Sequence, residues 1–71
     1  MQTKQVLAGL AIMEAVAESI REAGQLPAGP LYAHLMGLMD LQQFDLMIVM
    51  LARAGLVRRQ GDLVVWCAPT H

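Results

Sequence analysis

The sequence predicts a mainly α-helical domain of three helices closed by a small β-hairpin. Three observations carry this. Apolar residues recur at helical spacing from Val6 to Ile20, and the run stops at Gly24. Asp40 and Gln43 have the spacing of a capping box, ahead of a second helical stripe that stops at Gly55. Residues 56–66, LVRRQGDLVVW, are two short β-prone runs around a glycine, the pattern of a hairpin.

The first helix is expected over about residues 4–23, with Thr3 as its N-cap and Gly24 as its C-terminal stop. Val6, Leu10, Ile12, Met13, Val16, Ala17 and Ile20 cover an arc of about 160°, wider than the roughly 100° stripe that docks a surface helix. Glu14, Glu18, Arg21 and Glu22 hold the opposite side, where Leu7 and Ala11 also fall. Leu7 is therefore either a stray exposed leucine or part of a contact with a second subunit. Residues 24–30, GQLPAGP, read as a loop whose Pro30 suits the first position of a second helix, about 30–36. Leu31 and Leu35 face inward there, and MGLMD breaks the helix. The third helix, about 41–54, has the inward stripe Leu41, Phe44, Met47, Ile48 and Leu51. In the hairpin, Gln60-Gly61 is expected to turn between 56–59 and 62–66, which sets Arg59 against Asp62. Residues 67–71 form a tail.

At 71 residues the chain makes one domain, 1–71, of a size that buries only about 60% of its unfolded surface. Hydrophobic residues make up 56% and charged residues 15%, against about 45–50% and 25% in ordinary globular chains. A surface so short of charge exposes apolar area unless a partner covers it, so a homodimer or a protein partner is expected. The net charge of -1 provides no general attraction to nucleic acid or acidic membranes. Cys67 is the single cysteine, which excludes an intrachain disulfide and fits a reducing cytoplasm. No apolar run reaches the roughly 20 residues that span a bilayer. The N-terminal MQTKQVLAGLAIMEAVAES imitates a signal peptide, but cleavage after Ala17 would remove most of the first helix, and the segment is read as part of the fold.

The stretch LARAGLVRRQGDLVVW resembles the winged helix-turn-helix family, in which L-x-x-x-G-L-V-x-R joins the third helix to the wing. Here those positions are Leu51, Gly55, Leu56, Val57 and Arg59, and the likeness extends over about residues 4–66. The resemblance implies a stand-alone winged-helix domain. In DNA-reading members the third helix enters the major groove and the wing touches the backbone. Carried onto this chain, the reading stripe is Gln42, Leu46, Val49 and Arg53, flanked by Gln43, Asp45 and Met50, and the wing supplies Arg58 and Arg59.

Two functions follow. The first is a DNA-binding transcriptional regulator acting as a dimer. Arg53, Arg58 and Arg59 would meet phosphates of duplex DNA, and Gln42 and Gln43 have the groups to read adenine edges. The alternative is a protein-interaction module using Leu46, Val49 and Met50, with Leu7 at a seam. Asp40, Asp45 and the apolar stripe favour it, since both disfavour an approaching phosphate. No phosphate loop, paired-cysteine metal motif or nucleophile elbow occurs, so an enzyme, a cofactor and a metal are not expected. His34 is read as an exposed histidine beside Tyr32. Trp66 is read as a cover for the core edge. Most of the methionines are read as core filler, with Met39 and Met50 suited to an adaptable interface.

Overall fold

A computed structural model of the chain describes residues 3–68, with side chains from Gly9 onward. Among these residues the order is α1 (Thr3–Ala23), β1 (Gln25–Pro27), α2 (Ala28–Leu35), α3 (Leu41–Arg53), β2 (Val57–Gln60) and β3 (Leu63–Trp66). The three strands form one antiparallel sheet in the order β1-β3-β2. Three helices and a C-terminal hairpin come in the order the sequence predicts, with differences at the start of α2 and in the hairpin turn. Thr3 lies within α1 rather than ahead of it, and the side chains of Thr3, Val6 and Leu7 fall outside the described residues, as do residues 69–71 of the tail.

The first correction concerns the expected loop at 24–30. Gly24 closes α1 with a φ of 83° and an N–H that donates to the Ile20 carbonyl at 2.8 Å. The chain then runs extended through Gln25, Leu26 and Pro27 along β3, with Gln25 opposite Val65. Pro27 has no N–H, and an edge strand tolerates that loss. Helix α2 consequently starts at Ala28, not Pro30, and ends at Leu35. Pro30 still sits in the first turn, where its absent donor would have had no intrahelical acceptor.

Helix α3 has the predicted capping box. The Gln43 N–H donates to Asp40 Oδ1 at 2.8 Å, and the Asp40 N–H donates to Gln43 Oε1 at 3.0 Å. Phe44, Met47, Ile48 and Leu51 are buried as expected, but Leu41 is exposed. It is the first residue of the helix and stands one turn before Asp45 on the outward side. Leu10 of α1 is likewise exposed, while Val16 and Ile20 are buried.

The hairpin turn differs from expectation by one residue. Gln60 pairs with Leu63, so Gly61 and Asp62 form the loop and Arg59 lies opposite Val64 rather than Asp62. Gly61 has a φ of 61°, and Asp62 does not share a positive φ. Glycine at the first central position is the pattern of a type II′ turn, which matches the strand twist. Val57 and Val64 share one face of the hairpin, with Trp66 and Arg59 as their cross-strand partners, and both valines are buried.

The core is Val16, Ile20, Ala28, Phe44, Met47, Ile48, Leu51, Val57 and Val64. Tyr32 tilts onto Phe44 with ring centroids 5.3 Å apart, and Trp66 packs against the core edge as expected. Its indole Nε1 is buried and has no hydrogen-bond partner among the described residues. His34 is exposed.

Gly55 ends α3 with a φ of 80°, and open space surrounds the position its Cβ would take. Any cost of a side chain there is backbone strain alone. Gly55→Val is expected to lower stability by about 1–3 kcal/mol. Gly9, inside α1 and also in open space, should gain about 0.5–1 kcal/mol as Gly9→Ala. Urea unfolding at an unchanged slope measures both. A Gly55→Val chain as stable as wild type would refute the left-handed stop.

Candidate interaction surface

The phase of α3 decides what the chain shows to a partner. With Phe44, Met47, Ile48 and Leu51 inward, residues four apart form two outward rows, Leu41-Asp45-Val49-Arg53 and Gln42-Leu46-Met50. Apart from Leu41, which the sequence places on the inward stripe, these are outward or flanking residues expected from the sequence. Leu46 and Met50 are 57% and 56% exposed and Val49 is 44% exposed. Side chains of this size at such exposure on one helix face make an apolar strip.

The strip continues towards α1. A cleft of about 690 Å³ separates the two helices, and its walls include Leu10, Met13, Leu38, Leu46, Met47 and Met50. Leu38, in the segment between α2 and α3, is 66% exposed. Three of these six are methionine or leucine on α3 itself. Methionine adapts its shape to different apolar surfaces, so the cleft has walls that can repack against an occupant.

A second hollow, of about 540 Å³, lies between α3 and the β2–β3 hairpin and is lined by Asp45, Ile48, Val49, Ala52, Arg53 and Arg59. The strand alternation explains which hairpin residue reaches it. Val57 is buried, so Arg59, two residues on, shares its face of the sheet, while Arg58 and Gln60 lie on the other face. The Arg58 guanidinium donates to Gln60 Oε1 at 3.4 Å on that other face. The three arginines singled out in the sequence thus divide: Arg53 and Arg59 come together beside Asp45, and Arg58 points away.

The capping box changes the role of Gln43. Its side-chain oxygen accepts the Asp40 N–H, and reading an adenine edge in two-point fashion would turn that same amide away from the cap. Gln42, exposed on the outer row, carries no such duty.

Among the described residues the ion pair is Glu18 with Arg21, on the exposed side of α1. The Arg21 hydrogen bond holds the Glu18 carboxyl below its usual range, and the same bond holds the Arg21 guanidinium above its own. Asp45, Arg53 and Arg59 have no ion pair with any described residue. No group of three His, Cys, Asp or Glu side chains among the described residues could hold a metal ion, and no described helix is long and apolar enough to cross a membrane. Cys67 is exposed, with its thiol directed at the Val65 carbonyl at 3.5 Å. Comparison with models of protein families, with curated proteins and with solved structures returns no match.

The two sides of α3 should respond oppositely to substitution. Leu46→Asp, studied at high dilution, should leave unfolding free energy within about 0.5 kcal/mol of wild type. Phe44→Ala should cost about 3–5 kcal/mol by opening a core cavity. Denaturant unfolding followed by circular dichroism checks the pair, and a Leu46→Asp chain that fails to fold would contradict the outward placement.

Proposed function

We propose that this chain is a small, non-enzymatic protein-binding module of the winged-helix type, and that the outer face of α3 is its binding surface. The single observation that carries the reading is the exposure of Leu46, Val49 and Met50 on one helix face, continued by the α1–α3 cleft. Burial of apolar area is the main driving force for association between proteins. Soluble monomers seldom leave such a patch uncovered. The order of three helices followed by a hairpin, with Gly55 in the left-handed stop, supports the resemblance of residues 51–59 to the winged-helix family. A single exposed cysteine fits a reducing cytoplasm as the setting.

The second reading is a DNA-binding regulator, and one observation favours it: Arg53 and Arg59 line one hollow beside the outer face of α3. Against it, Asp45 lines that same hollow, Arg58 lies on the other face of the sheet, and Gln43 is held in the cap. Two arginines neutralise about two phosphates, which gives a shallow salt dependence and weak binding from one subunit.

Titration of duplex DNA at about 50 mM and about 200 mM salt separates the two. The protein-binding module should show no saturable binding at either salt. Saturable binding at low salt that weakens as salt rises, and that weakens further in an Arg53→Ala, Arg59→Ala variant, would replace this reading with the regulator.

A further inference from the structure

We propose that the partner seated on the outer face of α3 is the same face of a second copy, with the two α3 helices crossing antiparallel about a two-fold axis beside Val49. The inference rests on the protein-binding reading above and names its partner.

The charge order along one outward row points to this pairing. Asp45 and Arg53 stand one turn before and one turn after Val49 on the row Leu41-Asp45-Val49-Arg53. When two helices pack with their four-spaced rows interdigitated, the commonest arrangement in globular proteins, those rows run side by side. A two-fold axis beside Val49 reverses one row against the other. Asp45 of each copy then lies against Arg53 of the other, and the pair forms twice. Arg59, in the same hollow as Arg53 and Asp45, adds a second cation near each contact.

None of these three charged groups has an ion-pair partner among the described residues, so the contact breaks no ion pair among them. A parallel pairing would set Asp45 against Asp45 and Arg53 against Arg53. Like charges across an interface select against it.

The apolar part agrees. The antiparallel rows place Val49 at the centre, where water is best excluded, and bring Leu46 and Met50 of the adjoining row over the partner helix. A stable interface takes about 800 Å² from each partner, and the whole chain exposes 5051 Å². Two-fold pairing also closes on itself, so it ends at a dimer rather than a filament.

Sedimentation equilibrium on the purified chain tests the pairing, using wild type, Asp45→Arg, Arg53→Asp and an equimolar mixture of the two variants. Both positions are exposed on the outer rows of α3, and circular dichroism verifies that each variant is folded. Wild type should be a dimer whose dissociation constant rises with salt. Each variant alone puts like charges together at both contacts and should dimerise at least about tenfold more weakly. In the mixture, the arginine introduced in one chain faces the aspartate introduced in the other, and the native Arg53 and Asp45 face each other at the second contact. The mixture should therefore recover a heterodimer within about threefold of wild type. The neutral variants Asp45→Asn and Arg53→Gln should each weaken the dimer by a smaller factor. A wild-type monomer at high micromolar concentration would overturn the second copy as partner, and absence of duplex binding would still leave the protein-binding reading standing. A dimer indifferent to both charge reversals, or a mixture no tighter than its parts, would overturn the antiparallel α3 geometry. Duplex binding in the salt titration would instead remove the reading on which the pairing rests.

Discussion

The rotational setting of α3 is the constraint on which the other features depend. Its start is held by the reciprocal bonds between Asp40 and Gln43, and its stop by the positive φ of Gly55. Between them, Phe44, Met47, Ile48 and Leu51 lock one side against the core. A rotation by one residue, roughly 100°, would pull this side out of the core. The opposite side is then determined without further choice: Gln42, Leu46, Val49 and Arg53 must face outward. The hairpin inherits the same setting, because Leu56 follows Gly55 with its N–H donating to the Leu51 carbonyl at 3.0 Å. Val57 thereby enters the core, and Arg59 reaches the hollow beside Asp45.

A domain this small has little interior to spend its apolar residues on. The described core holds nine buried side chains, in a chain that is 56% hydrophobic. The surplus is gathered along α3, the α1–α3 cleft and the segment before Asp40 rather than scattered, as Leu38, Leu46, Val49 and Met50 illustrate. Scattered exposed leucines are normal on any protein, whereas a continuous strip marks a place where another surface fits. Composition and fold therefore point in the same direction, the first by excess and the second by location.

What the sequence disclosed was local in origin. The ends of α3 were legible because a capping box and a glycine stop are written in neighbouring residues, and the outward row followed from helical phase. Strand β1 was not legible: three residues with Leu26 alone facing inward carry no period, and their partner Val64 lies near the other end of the chain. The turn was placed one residue early because Gln60-Gly61 and Gly61-Asp62 both contain the glycine, and only the backbone shows which central position takes the positive φ. Arg58 and Arg59 are neighbours on β2 and separate onto two faces of the sheet by strand alternation; the turn decides only that Arg59 lies opposite Val64 instead of Asp62. Leu41 fitted the apolar spacing of α3 yet stands exposed at its first residue. Gln43 met two patterns at once, a cap and a base-reading amide, and the hydrogen bond to Asp40 assigns its oxygen to the cap.

The most direct test of the account is a dilution series of amide nuclear magnetic resonance spectra, from millimolar to low micromolar protein. The account predicts concentration-dependent shifts clustered at Gln42, Asp45, Leu46, Val49, Met50 and Arg53, with the buried positions Phe44 and Ile48 moving little. Spectra unchanged across the series, or shifts confined to Arg58, Gln60 and the outer face of the sheet, would contradict it.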